Sequence, residues 1–245
     1  MQDSKVTFDP YTTQELFDAF GAAKGSINKH LLIIYSLVIG VNAQRIVDLG
    51  IGHTTKTLRA AALRTGGKVF SCDIDRQRYL GLLTEETPEW SLQLCSSTEF
   101  LKNMAAPLDF VLHDAAHDYG QVKKDLELIF PMMREFGLVC IHDTQHNLLG
   151  KEMVLAIKDS IKNVKISFVN LPFQYGLTIL RIEDSQYKYI PPPWTEHETC
   201  QTECIPTPLS FATDFKMSAK DKCKVWLKWK LRPLRNKFQA LFNRK

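Results

Sequence analysis

No apolar run in this chain approaches the roughly 18 residues that a membrane-spanning helix needs. No apolar core follows Met1-Gln-Asp-Ser-Lys5, so no signal peptide is expected. Cysteine is sparse, with six in 245 residues. Cys200-x-x-x-Cys204 has no second pair with which to build a zinc site, and Cys223 stands apart in the tail. Cys72, Cys95 and Cys140 fall in or beside strand-like runs and read as small core residues. Reduced thiols in a cytoplasmic protein are the simplest expectation. No defined nucleic-acid motif is present. The one glycine turn with strand and helix around it lacks a third glycine, because Thr55 stands where a dinucleotide fingerprint would place it.

That turn organises the chain. Ile46-Val47 lead into Asp48, then Gly50 and Gly52, then His53-Thr54-Thr55 and a helical pattern. The order predicts a buried strand, a tight turn and a helix. Such a turn removes side chains where backbone must approach a ligand, and the helix start offers unpaired N–H groups. A second strand then ends in Asp73, 25 residues after Asp48. An acid at that tip can accept both hydroxyls of a ribose, which points to a nucleoside ligand.

Strands are expected over 45–49, 68–73, 90–94, 108–113, 137–142, 165–170 and 177–182, with the last two forming an antiparallel hairpin. Helices are expected over 54–65, 76–86, 97–104, 119–133 and 151–161. Two more, Thr12–Phe20 and one from Ser26 to about Ile39, precede the first strand and should cover the cleft. This alternation predicts an α/β fold with a doubly wound, mostly parallel seven-stranded sheet. Ligands gather beyond the carboxyl ends of such strands. Asp48, Asp73, Ser96, Asp114 and His142-Asp143 all stand at those ends.

A second constellation follows from strand neighbourhood. Strands four and five of such a sheet lie side by side, so Asp114 and Asp143 should face each other. Two close carboxylates repel unless a cation lies between them. Oxygen ligands suit Mg²⁺, and a nitrogen from His142 tilts preference towards Mn²⁺, Fe²⁺ or Zn²⁺. His117, three residues after Asp114, is a candidate general base at neutral pH.

These residues resemble a known family. Val47-Asp-Leu-Gly-Ile-Gly52, Asp73, Asp109-Phe-Val-Leu-His-Asp-Ala-Ala-His-Asp-Tyr119 and Gly137-Leu-Val-Cys-Ile-His-Asp-Thr144 look like class I S-adenosylmethionine-dependent methyltransferases. Among these, the metal-dependent O-methyltransferases of the catechol, macrocin and cephalosporin-hydroxylase-like group are most similar, over about residues 20–185. The resemblance implies a Rossmann-like methyltransferase fold. It implies a cofactor set of Asp48, Gly50, Gly52, Thr54, Thr55, Asp73 and Ser96. Gly50 and Gly52 would pass the methionine part, with Thr54 and Thr55 near its carboxylate. Asp73 would hold the ribose and Ser96 lie by the adenine. It implies a divalent metal, Mg or Mn, on Asp114, His142 and Asp143. His117 falls where catechol-type enzymes carry a lysine base, making His117 and Asp114 the catalytic pair. The acceptor would be a small molecule or a saccharide hydroxyl. Two other readings stay open: a nucleotide-sugar or dinucleotide oxidoreductase, and a non-catalytic docking protein.

Three segments are expected: a catalytic domain over 1–185, a Pro-containing linker or strap over 186–216, and a basic helical tail over 217–245. Residues 216–245 hold eleven Lys/Arg against Asp221 alone, a charge of +10, while residues 1–215 carry −6. Leu227, Leu231, Leu234, Phe238 and Leu241 recur at helical spacing among those cations. An anionic membrane surface fits this pattern. Packing on the domain or on a second subunit fits it too, and RNA less well.

Overall fold

The structure, a computed structural model, describes residues 8–22, 27–75 and 87–189. The helix expected over 76–86 lies outside the described residues, as do Ser26, Cys200, Cys204, Cys223 and the basic tail. Seven strands form one sheet: β1 (Arg45–Leu49), β2 (Lys68–Cys72), β3 (Trp90–Gln93), β4 (Leu108–His113), β5 (Met133–His142), β6 (Ile166–Leu171) and β7 (Leu177–Ile182). Their spatial order is β3-β2-β1-β4-β5-β7-β6. The first five are parallel, while β7 runs antiparallel to both β5 and β6. The helices are α1 (Thr13–Gly21), α2 (Asn28–Gly40), α3 (His53–Thr65), α4 (Ser97–Lys102), α5 (Tyr119–Ile129) and α6 (Asn147–Ser160).

Strand alternation divides the core into two layers. Ile46, Phe110, Leu112, Leu138 and Cys140 pack with Ile34 and Val38 of α2 and Leu58, Ala61 and Ala62 of α3. Val47, Leu49, Val111, Val139 and Ile141 pack with Phe100 of α4, Val122 and Leu126 of α5 and Met153 of α6. Each fully buried aliphatic side chain stabilises the fold by about 1.5–3 kcal/mol. Thr12 caps α1 reciprocally with Glu15, each side chain accepting from the other residue's backbone N–H.

Three boundaries differ from the sequence reading by four residues, the others by less. The helix expected to reach residue 133 stops at Ile129, and a 3₁₀ turn, Phe130–Met132, follows. Pro131 cannot donate the next helical hydrogen bond. β5 begins at Met133, before an irregularity in its pairing with β4. Its early residues also meet the chain beyond β7, where Glu135 N donates to Tyr187 O at 2.8 Å. α6 starts at Asn147, four residues before the expected 151. Gly150 lies within this helix, and a Cβ there would be 2.7 Å from Thr144 O. Glycine permits that close approach of helix to loop.

Cys72, Cys95 and Cys140 are thiols, and Cys72 and Cys140 are buried. Among the described residues, no helix is long and apolar enough to cross a membrane.

Candidate active site

A cavity of about 510 Å³ lies beyond the carboxyl ends of β1 to β4. Its wall includes Gly50 and Ile51 after β1, Asp73 after β2, Ser96 and Ser97 after β3, Asp114 after β4, and Gln121 on α5. Gly50 has φ +94°, and a Cβ there would sit 2.5 Å from Asp114 O. Only glycine lets β1 turn this close to the tip of β4. Asp73 then fixes the turn, since its Oδ2 accepts from Ile51 N at 3.1 Å and its Oδ1 from Asp75 N at 2.9 Å. Ser96 lines the wall and also caps α4, accepting from Glu99 N at 3.2 Å.

Beneath the turn lies Asp48, fully buried. Thr55 Oγ1 donates to its Oδ2 at 2.6 Å, and Ser71 Oγ donates to the same atom at 3.0 Å. Thr55 Oγ1 also accepts from Gly52 N at 2.9 Å. Burial pushes the Asp48 carboxyl up to about 7, against the pull of those two hydroxyls. Asp48, Thr54 and Thr55 are thus buried under the turn and absent from the cavity wall. Gly52 caps α3, and a Cβ there would meet open space.

Asp114 belongs to a second group. The ligand atoms of Asp114, His117 and Asp143 lie within 4.8 Å of one another. His117 Nε2 is 3.0 Å from Asp143 Oδ2 and 3.8 Å from Asp114 Oδ1. His142 Nδ1 lies 3.1 Å from Asp143 Oδ1 and 3.3 Å from Asp114 Oδ1. Asp143 sits at φ +60°, a left-handed conformation that a short polar side chain tolerates. Burial works against its charge, but the hydrogen bond from His117 and the nearby His142, His117 and His146 outweigh it. They hold its carboxyl below the usual range.

One neighbour of this cluster, His30, was not anticipated. His142 is an even-numbered strand residue, so alternation turns it towards α2, and there it meets His30 edge-on at 5.2 Å between ring centres. His30 is fully buried. Burial, and then the charge of His142, pull its imidazole down to about 4, so it is neutral at physiological pH. Phe173, in the turn between β6 and β7, packs on its other side at 5.0 Å.

Residues 47–144 match the family model of a methyltransferase domain. That span runs from β1 to the residue after Asp143 and contains every expected site residue. That stretch, less than half of the chain, is similar to a methyltransferase domain. Solved structures share its fold. A provisionally assigned caffeoyl-CoA O-methyltransferase from Staphylococcus aureus has 17% identity and a TM-score of 0.53, covering 69% of this chain and 98% of that one. An O-methyltransferase from Bacillus cereus, in complex with S-adenosylhomocysteine, has 13% identity and a TM-score of 0.52, covering 71% and 92%. An S-adenosylhomocysteine-bound methyltransferase from Podospora anserina has 10% identity and a TM-score of 0.51, covering 73% and 100%. At such identities the likeness is one of fold. No curated protein matches the chain.

The sheet brings Gly50, Asp73, Ser96 and Asp114 to one cavity, and Asp114 also joins the group of His117, His142 and Asp143. His30 and Gln121 escaped the sequence reading. A histidine opening the apolar run Leu31-Leu-Ile-Ile34 was the available signal for the first. Gln121 had none, because its partners lie on other elements.

Proposed function

We propose that the chain is an O-methyltransferase that uses S-adenosylmethionine to methylate a saccharide hydroxyl. The observation that carries this reading is the double membership of Asp114. It stands in the cavity wall and in the acid–imidazole cluster, so the cavity opens onto groups able to handle an acceptor proton. S-adenosylmethionine, when bound, supplies an electrophilic methyl group on a sulfonium.

Asp73 would accept the ribose hydroxyls, and Gly50 leaves the backbone bare for close approach. His117 Nε2 would take the proton of the acceptor hydroxyl. Asp143, 3.0 Å away, would hold the resulting imidazolium by charge and hydrogen bond. The remainder of the rate comes from positioning. Two carboxylates beside imidazole nitrogens also fit a divalent cation, Mg²⁺ or Mn²⁺. Asp114 and Asp143 would hold it with His142 or His117, and it would supply charge that lowers the acceptor hydroxyl's pKa. The half-exposed rings of Phe173 and Tyr175 support a saccharide, since they sit against His30 and His146 beside the cluster and suit the apolar face of a sugar ring. For the segment 217–245 we propose contact with an anionic membrane surface in the cytoplasm.

Calorimetry of the full chain with S-adenosylhomocysteine tests the cofactor. Micromolar binding is expected, with loss in Asp73→Ala. Turnover is then measured on a panel of saccharide diols, with and without chelator. His117→Gln should lower kcat by about 10²–10⁴-fold and leave S-adenosylhomocysteine affinity unchanged. Binding of NAD without S-adenosylhomocysteine rejects the proposal, as does cofactor binding with no turnover on any diol.

A further inference from the structure

The nucleoside end of the cavity contains a side chain whose orientation is forced by a buried charge. Asp125 of α5 is fully buried. Its Oδ2 accepts from Ser97 Oγ at 2.7 Å and pairs with His113 Nε2 at 3.2 Å, while its Oδ1 accepts from Thr98 Oγ1 at 2.9 Å. Burial opposes its charge, but the contacts with His113, Ser97 and Thr98 hold its carboxyl below the usual range. An ionised carboxylate only accepts. The atom of Gln121 that lies 2.9 Å from Asp125 Oδ1 must therefore be the amide nitrogen. Ser97 and Thr98 spend their hydroxyl hydrogens on Asp125, so at 3.1 and 2.7 Å from Gln121 Nε2 they too must accept. With Nε2 held by three acceptors, Oε1 faces away from them. Among the described residues, no donor meets Oε1. Gln121 shares the cavity wall with Ser96 and Ser97.

We propose that Gln121 selects the nucleobase, its fixed Oε1 accepting from the exocyclic 6-amine of adenine and repelling a 6-oxo base. Asp125, through His113, Ser97 and Thr98, is the positioning group that stops the amide from flipping. A freely rotating glutamine would serve either base. This inference rests on the S-adenosylmethionine reading above.

The test uses three ligands on the full chain by calorimetry: S-adenosylhomocysteine, its C6-H analogue lacking the amine, and S-inosylhomocysteine. Affinity should fall in that order, with the inosyl compound at least about tenfold weaker than the adenosyl one, the scale of one lost hydrogen bond with a carbonyl left unpaired. In Gln121→Met the three affinities should converge to within about twofold, a ratio that cancels any general loosening of the cavity. The wild-type series stands by itself if that variant does not fold. Equal binding of adenosyl and inosyl ligands by the wild type overturns the role of Gln121 and leaves the cofactor reading intact. An unchanged ratio in Gln121→Met does the same. Failure to bind any of the three overturns both.

Discussion

Asp48→Asn should change the pH dependence of stability in a direction fixed by burial. In the folded chain the Asp48 carboxyl titrates near 7, against an ordinary value of 3.8. Below the ordinary value both states carry the proton, and the folded state keeps its full advantage. As pH rises, the unfolded chain releases that proton while the folded chain retains it, so stability falls until the folded value is passed. Each pH unit in that window costs about 1.36 kcal/mol. Between pH 5 and 7 the wild type should lose roughly 2–3 kcal/mol that the non-titrating variant does not lose. Urea unfolding of the ligand-free chain at pH 5, 6, 7 and 8 measures both curves. Other titrating groups are common to the two proteins and cancel in the difference. The amide's own packing adds a constant offset, so the slope carries the test. Parallel curves would refute the claim that a buried, under-solvated carboxyl supports this turn.

Two further outcomes follow from the same geometry. Gly50→Ala places a side chain at φ +94° and a Cβ 2.5 Å from Asp114 O. About 1–2 kcal/mol of backbone strain joins about 1–3 kcal/mol of overpacking, and S-adenosylhomocysteine affinity should fall with stability. A loss under about 0.5 kcal/mol, the level of an indifferent surface change, would show that the turn can shift at no cost. The +10 charge of residues 216–245 should make the full chain co-sediment with vesicles rich in anionic lipid and not with neutral ones. A chain ending at residue 215 should lose that behaviour, and equal sedimentation of the two would reject a membrane role for the tail.

The strands were legible because β-branched runs end in polar residues at their carboxyl ends. β1, β4 and β7 fall on their expected residues. Errors arose where tertiary contact overrode a local signal. α6 extends through Gly150, which allows a close approach in space, and β5 gains its first residues from pairing with distant partners. The candidate site divides in the same way. Gly50, Asp73, Ser96 and Asp114 could be read because a doubly wound sheet collects its strand tips. The inward turn of Asp48, Thr54 and Thr55 could not, because the two hydroxyls look alike in sequence whether they face a ligand or the core. His30 and Gln121 are placed by packing between elements remote in the chain, which no local pattern records.

The charge of the cavity separates the nucleoside ligands that its shape would admit. Its wall carries Asp73, Asp114 and Asp118 and, among the described residues, no lysine, arginine or histidine. Asp48 lies buried just beneath, raised in part by the charges of Asp114 and Asp73. A pyrophosphate brought to this rim would meet three carboxylates with no cationic partner. One helix N-terminus offers typically 0.3–1 kcal/mol to a charge at its end, too little to offset that repulsion in a partly desolvated cleft. A sulfonium nucleoside brings a positive centre to the same rim, and each carboxylate then attracts it. A glycine turn and an acid at the tip of the second strand suit both ligand classes. The missing third glycine and the unopposed acids are not, and both favour the sulfonium over the dinucleotide.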